Sequence, residues 1–392
     1  MSIDLTQFIS RIARETPGSE ISAVADYGRA RPSVIPLWVG EADLPTPRFI
    51  CDAATRSLAA GETFYTGTRG IAELRQALAA YHARLYGGSF SPERFFVTGS
   101  GMQSIQVALT LVAGAGDEVI VPTPAWPNFA AAVGVRGARP RVVPMRFGNA
   151  GWVLDLDDLA AAINANTRAI YFNSPCNPTG WTASRDELTR VLDLARRHGL
   201  WIVADEVYTR FVYDGTARAP SFHDVAEPDD RILYTNTFSK NWAMTGWRVG
   251  WIEADPSLGG AIENLLQYST SGVAVFMQRG AVAALEQGEG FVEHLVARVR
   301  RNRNLVSDAF AKTPRIRFSN PAGAFYMYFA IDGEPDTARL PFRLMDEIGI
   351  GLAPGGAFGA AGNGFLRLCF ARSAESVAEA VDRLTRWVAE TA

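Results

Sequence analysis

Residues 234–250 read YTNTFSKNWAMTGWRVG and contain one lysine, Lys240, among aromatic and small residues. Thr237 and Ser239 place hydroxyl groups just before this lysine, and Arg248 follows it. A lysine among apolar groups loses its proton more easily than a solvated one and can form a Schiff base with a carbonyl. Hydroxyl and guanidinium groups bind phosphate. The stretch is therefore typical of a lysine that holds a phosphorylated aldehyde, although most lysines are solvated surface charges.

The composition of the 392-residue chain is that of a globular protein with more than one domain. Its net charge of -3 gives no electrostatic case for a nucleic-acid partner. The three cysteines and four histidines are too scattered for a disulfide framework or a metal site, so no metal is expected. The first residues lack the features of a signal peptide, and no apolar run approaches membrane-spanning length. These observations favour a cytoplasmic enzyme without a membrane partner.

Short apolar strands alternate with helices through the middle of the chain. Strands are predicted at residues 95–98, 118–122, 141–144, 168–172, 201–204, 232–235 and 249–253. Helices are predicted at residues 47–60, 71–86, 126–135, 156–164 and 184–198, with a further helix after Gly99. This pattern predicts an α/β fold with a mostly parallel sheet that is covered by helices on both faces.

The pattern changes after residue 255 and predicts a smaller α+β domain. Helices are predicted at residues 259–269, 274–286, 290–312, 342–348 and 374–390, and strands at 315–319, 324–329 and 364–369. In the long helix the arginines are expected to form a solvated face: Arg298, Arg300, Arg301 and Arg303. The predicted division is an N-terminal arm with part of the small domain (1–45), a large cofactor-binding domain (46–290) and a small C-terminal domain (291–392).

The N-terminal arm has an apolar side. At helical spacing its apolar residues share one face: Phe8, Ile9, Ile12 and Ala13. The sequence predicts a partly amphipathic helix there.

The candidate functional residues fall at or just past the carboxyl ends of the predicted strands, where ligands bind in such sheets. They are Ser100, Trp126, Asn177, Asp205 and Lys240. The small residues around Ser100 favour either an anion site at a helix start or a plain turn. Asn177 precedes a proline and is also consistent with a turn. Asp205 fits either a turn cap or a partner for a cationic ring nitrogen.

From about residue 35 to 372 the chain resembles the class I and II pyridoxal-phosphate-dependent aminotransferases (fold type I, aspartate aminotransferase-like superfamily). The ordered set of motifs carries this resemblance, because any one of them alone is weak. The motifs are GEADLPTP, FYTGTRGIAELR, TGSGMQSI, PTPAWPN, NSPCNPTG, ADEVY, TFSKNWAMTGWRVGW and APGGAFGAAGNGFLRLCFA. The resemblance implies pyridoxal 5'-phosphate as the cofactor, with an amino acid and a 2-oxo acid as substrates.

The resemblance also implies roles around the cofactor ring. Lys240 would hold the cofactor as a Schiff base and then act as the proton shuttle of the reaction. Asp205 would keep the ring nitrogen protonated. Asn177 and Tyr208 would donate hydrogen bonds to the phenolic oxygen, and Trp126 would stack on the ring.

A phosphate site is implied at the start of the helix after Gly99. The backbone N–H groups would come from Ser100, Gly101 and Met102. The side chains around the phosphate would be those of Thr237, Ser239 and Arg248. Tyr65 would reach the phosphate from the neighbouring subunit, so the resemblance implies a homodimer with shared active sites. Arg367 would clamp the substrate α-carboxylate, with Gly40, Trp126 and Asn177 beside it.

The leading hypothesis is ping-pong transamination. A pyridoxal-phosphate-dependent carbon–sulfur β-lyase is the alternative, because it shares the lysine, the aspartate and the cofactor. A non-catalytic regulator that binds the cofactor is a hypothesis from another class.

The sequence leaves the amino donor open. Arg69 could hold the second carboxylate of aspartate, or it could be a loop charge. Trp38 and Ala42 depart from the family pattern, and Trp38 with Val39 and Phe129 would favour an apolar or aromatic donor.

Overall fold

The computed structural model describes residues 3–391. Its α-helices are α1 (Arg11–Glu15), α2 (Glu20–Arg29), α3 (Arg48–Ala59), α4 (Ala72–Tyr86), α5 (Gly101–Val112), α6 (Pro127–Val135), α7 (Leu156–Ala161), α8 (Arg185–His198), α9 (Gly259–Gln267), α10 (Val275–Gln287), α11 (Glu289–Phe310), α12 (Leu340–Ile348) and α13 (Ala374–Glu390). Its strands are β1 (Ile35–Pro36), β2 (Phe95–Thr98), β3 (Glu118–Thr123), β4 (Arg139–Pro144), β5 (Arg146–Gly148), β6 (Gly151–Val153), β7 (Thr167–Asn173), β8 (Trp201–Asp205), β9 (Ile232–Thr237), β10 (Gly250–Glu253), β11 (Ile316–Phe318), β12 (Tyr326–Ile331), β13 (Ile350–Gly351), β14 (Ala353–Pro354) and β15 (Phe365–Cys369).

A seven-stranded sheet forms the centre of the larger part of the molecule. Its strand order is β2-β10-β9-β8-β7-β3-β4, and only β10 runs antiparallel to its neighbours. Strands β2, β7 and β8 are buried along nearly their whole length, which explains their continuous apolar sequences. The predicted α/β fold with a mostly parallel sheet is confirmed.

Parallel register brings the polar strand ends of this sheet into one row. Asn173 at the end of β7 pairs with Asp205 at the end of β8, and Asp205 pairs with Thr235 of β9. Lys240 follows the end of β9 by a short turn. The carboxyl edge of the sheet therefore places residues that are far apart in sequence side by side.

Helix α8 shows how local sequence fixes one of the connections that cover the sheet. Ser184 and Glu187 form a reciprocal capping box at its first turn. Gly199 ends the helix with φ 64°, a left-handed conformation that glycine adopts without a Cβ penalty. The crossover from β7 to β8 is therefore specified at both ends.

A second, four-stranded sheet has the order β11-β12-β15-β14 and is antiparallel throughout. Helices α11, α12 and α13 contribute apolar residues to the core on this sheet. Strand β1 joins this part of the molecule: Ile35 pairs in parallel with Ile350, and the Cys369 N–H donates to the Leu37 carbonyl oxygen at 2.9 Å. The domain boundaries at residues 45 and 290 stay a prediction.

The N-terminal arm differs from the sequence prediction. Leu5–Phe8 form a 3₁₀ turn, Ile9 is extended, and Ser10 caps the separate short helix α1. The four apolar residues therefore do not share one continuous helical face, so that prediction was wrong. The Ser10 side chain accepts from the Ala13 N–H and starts a new helix where the spacing pattern alone predicted continuation.

The arginines of α11 also differ from the prediction of a solvated face. Arg298 pairs with Asp43 at 2.6 Å, and Arg303 donates to the Pro321 carbonyl oxygen at 2.7 Å. Of the four arginines, only Arg301 is exposed. The prediction was wrong because contacts to distant segments, which helical periodicity does not report, cover this side of the helix.

Gly250 at the start of β10 gives the first testable prediction. A Cβ atom there would lie 2.7 Å from the Asn236 carbonyl oxygen and 2.8 Å from the Gly101 nitrogen. We expect Gly250→Ala to lower the free energy of unfolding by about 1–3 kcal/mol, because backbone atoms must move apart. Gly134→Ala in α6 is the control, since nothing lies within 4 Å of its added Cβ. Urea unfolding of both variants measures the difference, and equal stabilities would contradict the expectation.

Candidate active site

A cavity of about 420 Å³ lies at the carboxyl edge of the large sheet, against strands β12 and β15. Most of the residues predicted from the sequence line it: Gly40, Gly101, Met102, Trp126, Asn177, Asp205, Tyr208, Thr237, Ser239, Lys240, Arg248 and Arg367. Ser100 is buried directly beside it as the N-cap of α5. The fold thus brings both the cofactor residues and the substrate residues of the prediction to one place.

Lys240 lies at the centre of this set. Its Nζ atom donates to the Gly40 carbonyl oxygen at 2.6 Å and lies 6.0 Å from the centroid of the Tyr208 ring. Burial lowers the pKa of Lys240 to about 8. A larger fraction of this amine than of a solvated lysine is therefore neutral and nucleophilic near neutral pH.

Asp205 presents one unpartnered oxygen in the same cavity. Its side chain is 3% exposed, and Oδ2 accepts a hydrogen bond from the Tyr171 hydroxyl at 2.8 Å. Its Oδ1 atom is buried and has no hydrogen-bond partner among residues 3–391. Burial raises the pKa of this carboxyl to about 6. This oxygen is therefore available to accept a hydrogen bond from an N–H group of a ligand.

The start of α5 lies at one end of the cavity and offers groups that can bind an anion. The Ser100 hydroxyl accepts from the Gln103 N–H at 3.0 Å and caps the helix. Gly101 packs against Thr237 so closely that a Cβ on Gly101 would lie 3.2 Å from the Thr237 Cβ. The hydroxyls of Thr237 and Ser239 are 2.9 Å apart. Free helix N–H groups next to two hydroxyls make a cradle for a phosphate.

Arg248 adds a positive charge to this end. Its backbone has φ 57°, in the left-handed region that non-glycine residues rarely adopt. The exposed side chain donates to the Thr245 carbonyl oxygen at 2.7 Å. Such backbone strain persists where the surrounding structure enforces it, and here it accompanies the placement of a guanidinium beside the helix start.

Arg367 forms the opposite end of the cavity. The side chain is 2% exposed; Nη1 donates to Asn177 Oδ1 at 2.8 Å, and Nη2 donates to the Trp38 carbonyl oxygen. Its Cζ atom lies 4.5 Å from the Tyr326 ring centroid and 4.7 Å from the Phe358 ring centroid. The guanidinium is therefore held between two aromatic rings and is suited to fixing a carboxylate in one orientation.

Two tyrosines of the site were not identified from the sequence. Tyr171 donates to Asp205, and Tyr326 shares a 2.6 Å hydrogen bond with Tyr208. Strand alternation could have indicated Tyr171, since it lies two residues before Asn173 and therefore on the same face of β7. No local pattern distinguishes Tyr326 from the other aromatic residues of β12.

Tyr65 does not line the cavity of its own chain. Its side chain is 94% exposed, in the loop that precedes α4. The implied contact with a phosphate in a neighbouring subunit stays a prediction.

Two residues that the sequence linked to the choice of amino donor, Arg69 and Phe129, lie outside the cavity. Arg69 forms ion pairs with Glu93 at 2.7 Å and Glu263 at 3.3 Å. Phe129 is fully buried and stacks on Tyr171 with ring centroids 3.6 Å apart. The sequence had suggested that Phe129 contacts the donor side chain. Instead, Phe129 packs behind Tyr171 and does not line the cavity.

Residues 3–391 bear on two possible partners of the protein, a membrane and a metal ion. No helix in that range is long and apolar enough to cross a membrane. No group of three or more His, Cys, Asp or Glu side chains in that range is arranged to hold a metal ion. The cytoplasmic location and the lack of a nucleic-acid partner stay predictions.

Comparison with known proteins agrees with this geometry. The family profile described as aminotransferase class I and II matches residues 32–384. The aspartate aminotransferase of Thermotoga maritima is 35% identical, over 90% of this chain and 90% of that protein. The arginine–pyruvate transaminase AruH of Pseudomonas aeruginosa is 34% identical, over 91% of this chain and 90% of its own length. The crystal structure of the Thermotoga maritima enzyme superposes with a TM-score of 0.91 and 34% identity, covering 97% of this chain and all of the other.

The fold and the site together define an enzyme of fold type I that uses pyridoxal 5'-phosphate. The chain belongs to the aminotransferase class I and II family, and its activity is the transfer of amino groups with that cofactor. The residues present fit the cofactor, because the cavity offers an amine of lowered pKa, an unpartnered buried carboxylate oxygen and an anion cradle. The β-lyase and regulator alternatives are not favoured.

Asp205 gives a prediction for the protein without cofactor. Because its pKa is about 6 in the folded state and 3.8 ordinarily, the stability that it contributes is present below pH 4 and is lost as the pH rises through 6. Asp205→Asn lacks this loss. We therefore expect its free energy of unfolding, relative to that of wild type, to rise by about 1–3 kcal/mol between pH 4.5 and pH 7. Urea unfolding of apoprotein at pH 4.5, 5.5 and 7 measures this, with exposed Asp157→Asn as the control. A difference that does not change with pH would contradict it.

Proposed function

We propose that this cavity transfers the amino group of an L-amino acid to a 2-oxo acid in two half-reactions that share one set of residues. The observation that carries the proposal is that the Lys240 amine, the unpartnered Asp205 oxygen and the Arg367 guanidinium line a single cavity. When bound, pyridoxal 5'-phosphate supplies the carbonyl carbon that carries the amino group and a ring that withdraws electrons.

The proposed roles at the ring follow from the position of each side chain. Lys240 anchors the cofactor and later accepts and returns a proton at Nζ, which its lowered pKa favours. Asp205, whose Oδ1 atom lacks a partner among residues 3–391, would hold the cofactor's ring nitrogen in its protonated form. Tyr208 and Asn177 donate to the ring's phenolic oxygen, and Trp126 covers the ring face.

The proposed roles at the two ends follow from charge. The start of α5 would hold the cofactor's phosphate, and four side chains would supplement the helix N–H groups: Ser100, Thr237, Ser239 and Arg248. Arg367 holds the substrate α-carboxylate between the Tyr326 and Phe358 rings, with the Gly40 backbone beside it. The substrate therefore has a fixed orientation relative to Lys240.

We further propose that the amino donor carries an uncharged, apolar or aromatic side chain. Lys240, Arg248 and Arg367 are the only cationic side chains among the described residues that line the cavity, and each has a role above. Arg69, the sequence's candidate for a second carboxylate, is already paired with Glu93 and Glu263. The remaining wall is largely apolar: Ile21, Trp38, Val39, Met102 and Ile105.

Names of relatives do not decide the donor. At 30–35% identity they include aminotransferases named for aspartate, for arginine with pyruvate, and for aromatic amino acids. Proteins within that range of identity are therefore named for different amino donors. We infer the donor class of this chain from the side chains that line its own cavity.

We also propose a homodimer in which Tyr65 completes the neighbour's phosphate site. Phe64, Tyr65 and Tyr268 expose 84%, 94% and 90% of their surface. Gln103 in the first turn of α5 donates to Ser269 at 2.9 Å, so the Tyr268 loop lies next to the phosphate end of the cavity. Exposed aromatic side chains of this kind are typical of a surface that a partner covers.

A panel of donors tests the function and the donor class. With pyruvate or 2-oxoglutarate as acceptor, we expect kcat/KM for phenylalanine, leucine or methionine to exceed that for aspartate or glutamate by about tenfold or more, because an apolar wall rewards apolar burial. Lys240→Ala should lower turnover of every donor by about 100-fold or more. A preference for aspartate would overturn the donor class alone, whereas near wild-type turnover by Lys240→Ala would overturn the mechanism.

Mixing two impaired variants tests the shared site. Suppose that Tyr65 contributes to the active site of the neighbouring subunit. A hybrid dimer of one Lys240→Ala subunit and one Tyr65→Ala subunit then has one active site with both substitutions and one active site with neither. After subunit exchange at limiting cofactor, we expect activity to recover to about a quarter of wild type. No recovery, in a mixture that mass measurement shows to contain hybrids, would place Tyr65 outside the partner's site. Mixing each variant with itself is the control.

A further inference from the structure

Tyr326 lies between the two halves of the proposed site, although no motif pointed to it. Its hydroxyl is 2.6 Å from the Tyr208 hydroxyl, and its ring lies 4.5 Å from the Arg367 Cζ atom. All three side chains are at least 97% buried. One side chain therefore contacts both the proposed partner of the cofactor's phenolic oxygen and the proposed substrate clamp.

The small sheet and Gly40 fix the position of Tyr326. In the antiparallel pair β12–β15, Tyr326 pairs with Cys369 and Tyr328 pairs with Arg367. A Cβ on Gly40 would lie 2.0 Å from the Tyr326 oxygen, so only glycine leaves room for the hydroxyl. The same Gly40 accepts the hydrogen bond from Lys240 through its carbonyl oxygen. The Tyr326 hydroxyl is thus enclosed by Tyr208 and by the segment that contacts Lys240.

The chemistry of the pair limits how its two protons are used. Burial raises the pKa of both phenols above the ordinary value, so each oxygen keeps one proton. Two facing hydroxyls form one hydrogen bond, which uses one of these protons. If Tyr326 donates, the proton of Tyr208 stays free to point into the cavity that both residues line. If Tyr208 donates, it has no proton left for a cofactor oxygen.

We infer that Tyr326 is a positioning residue with two separable actions. Its hydroxyl donates to the Tyr208 oxygen and directs the Tyr208 proton toward the cofactor's phenolic oxygen. Its ring supports the Arg367 guanidinium in the orientation that receives the substrate carboxylate. The inference rests on the proposed function, since Tyr208 and Arg367 have their roles there.

Tyr326→Phe tests the first action, because it keeps the ring and removes only the hydroxyl. Tyr328→Phe is the matched control: it lies on the same face of β12, and its hydroxyl donates to the Gly355 carbonyl oxygen at 2.8 Å, away from Tyr208. The measurement is the pH midpoint of the absorption band of the cofactor bound to the holoenzyme. We expect the midpoint to rise by about 0.3–1 pH unit in Tyr326→Phe, because a less well directed donor stabilises the ring oxygen's negative charge less. We expect no shift in Tyr328→Phe.

Tyr326→Leu tests the second action, because it also removes the ring beneath Arg367. The probes are maleate and 3-phenylpropionate, two carboxylates without an amino group, titrated against the holoenzyme by absorbance. We expect the Kd of the probe that binds wild type to rise by about 3–30-fold in Tyr326→Leu and to stay within twofold in Tyr326→Phe, since a desolvated cation–π contact contributes this much. Should Tyr326→Leu not fold, the midpoint measured in Tyr326→Phe still decides the first action.

The outcomes separate this inference from the proposed function. A wild-type protein whose absorption band is unchanged by Lys240→Ala would overturn the function. A normal wild-type band together with a Tyr326→Phe midpoint equal to that of wild type would overturn only the role of the hydroxyl. Equal Kd values in Tyr326→Phe and Tyr326→Leu would overturn only the role of the ring.

Discussion

The buried carboxylate of Asp205 is the constraint on which the rest of the site depends. It lies at the end of β8, which pairs with β7 on one side and β9 on the other. Among residues 3–391, only one of its two oxygens has a hydrogen-bond partner. Burying a carboxylate that is not fully hydrogen-bonded destabilises a fold, and this side chain is only 3% exposed. A ligand that supplies a cationic N–H group removes this penalty. With the role proposed for Asp205, cofactor binding would also stabilise the carboxyl edge of the sheet.

Much of the architecture could be predicted from the sequence because it depends on local signals. The apolar run at residues 118–122 matches β3 (Glu118–Thr123), and the predicted helix 184–198 matches α8, which Ser184 and Gly199 bound. The three-residue strand β11 lies within the predicted strand 315–319, but the two-residue strands β1 and β13 were not predicted. Ile35 and Ile350 form a strand pair only because the chain returns after more than 300 residues, and a short segment carries no periodicity of its own.

The site shows the same division between local and long-range information. Lys240, Asp205, Asn177 and Arg367 were identified through motifs, and the fold brings them to one cavity. The residues that sequence reasoning missed or misplaced owe their positions to contacts between segments that are distant in sequence. Tyr326 of β12 contacts Tyr208, which lies in the turn after β8, and Phe129 stacks on Tyr171. Helical spacing could not show that Asp43 covers Arg298, because that aspartate lies some 250 positions earlier in the chain.

The pairing of β1 with β13 has a consequence for the newly made chain. Residues 35–40 leave the ribosome early, yet the strands that they pack against, β13 and β15, are among the last to be made. Until then Lys240 lacks the Gly40 oxygen that it contacts in the finished protein, and the chain has no Arg367. A nascent chain in which the large sheet has already folded therefore lacks the residue proposed to hold the substrate carboxylate, and its Lys240 lacks the Gly40 contact. Completion of the site therefore waits until β13 and β15 have left the ribosome.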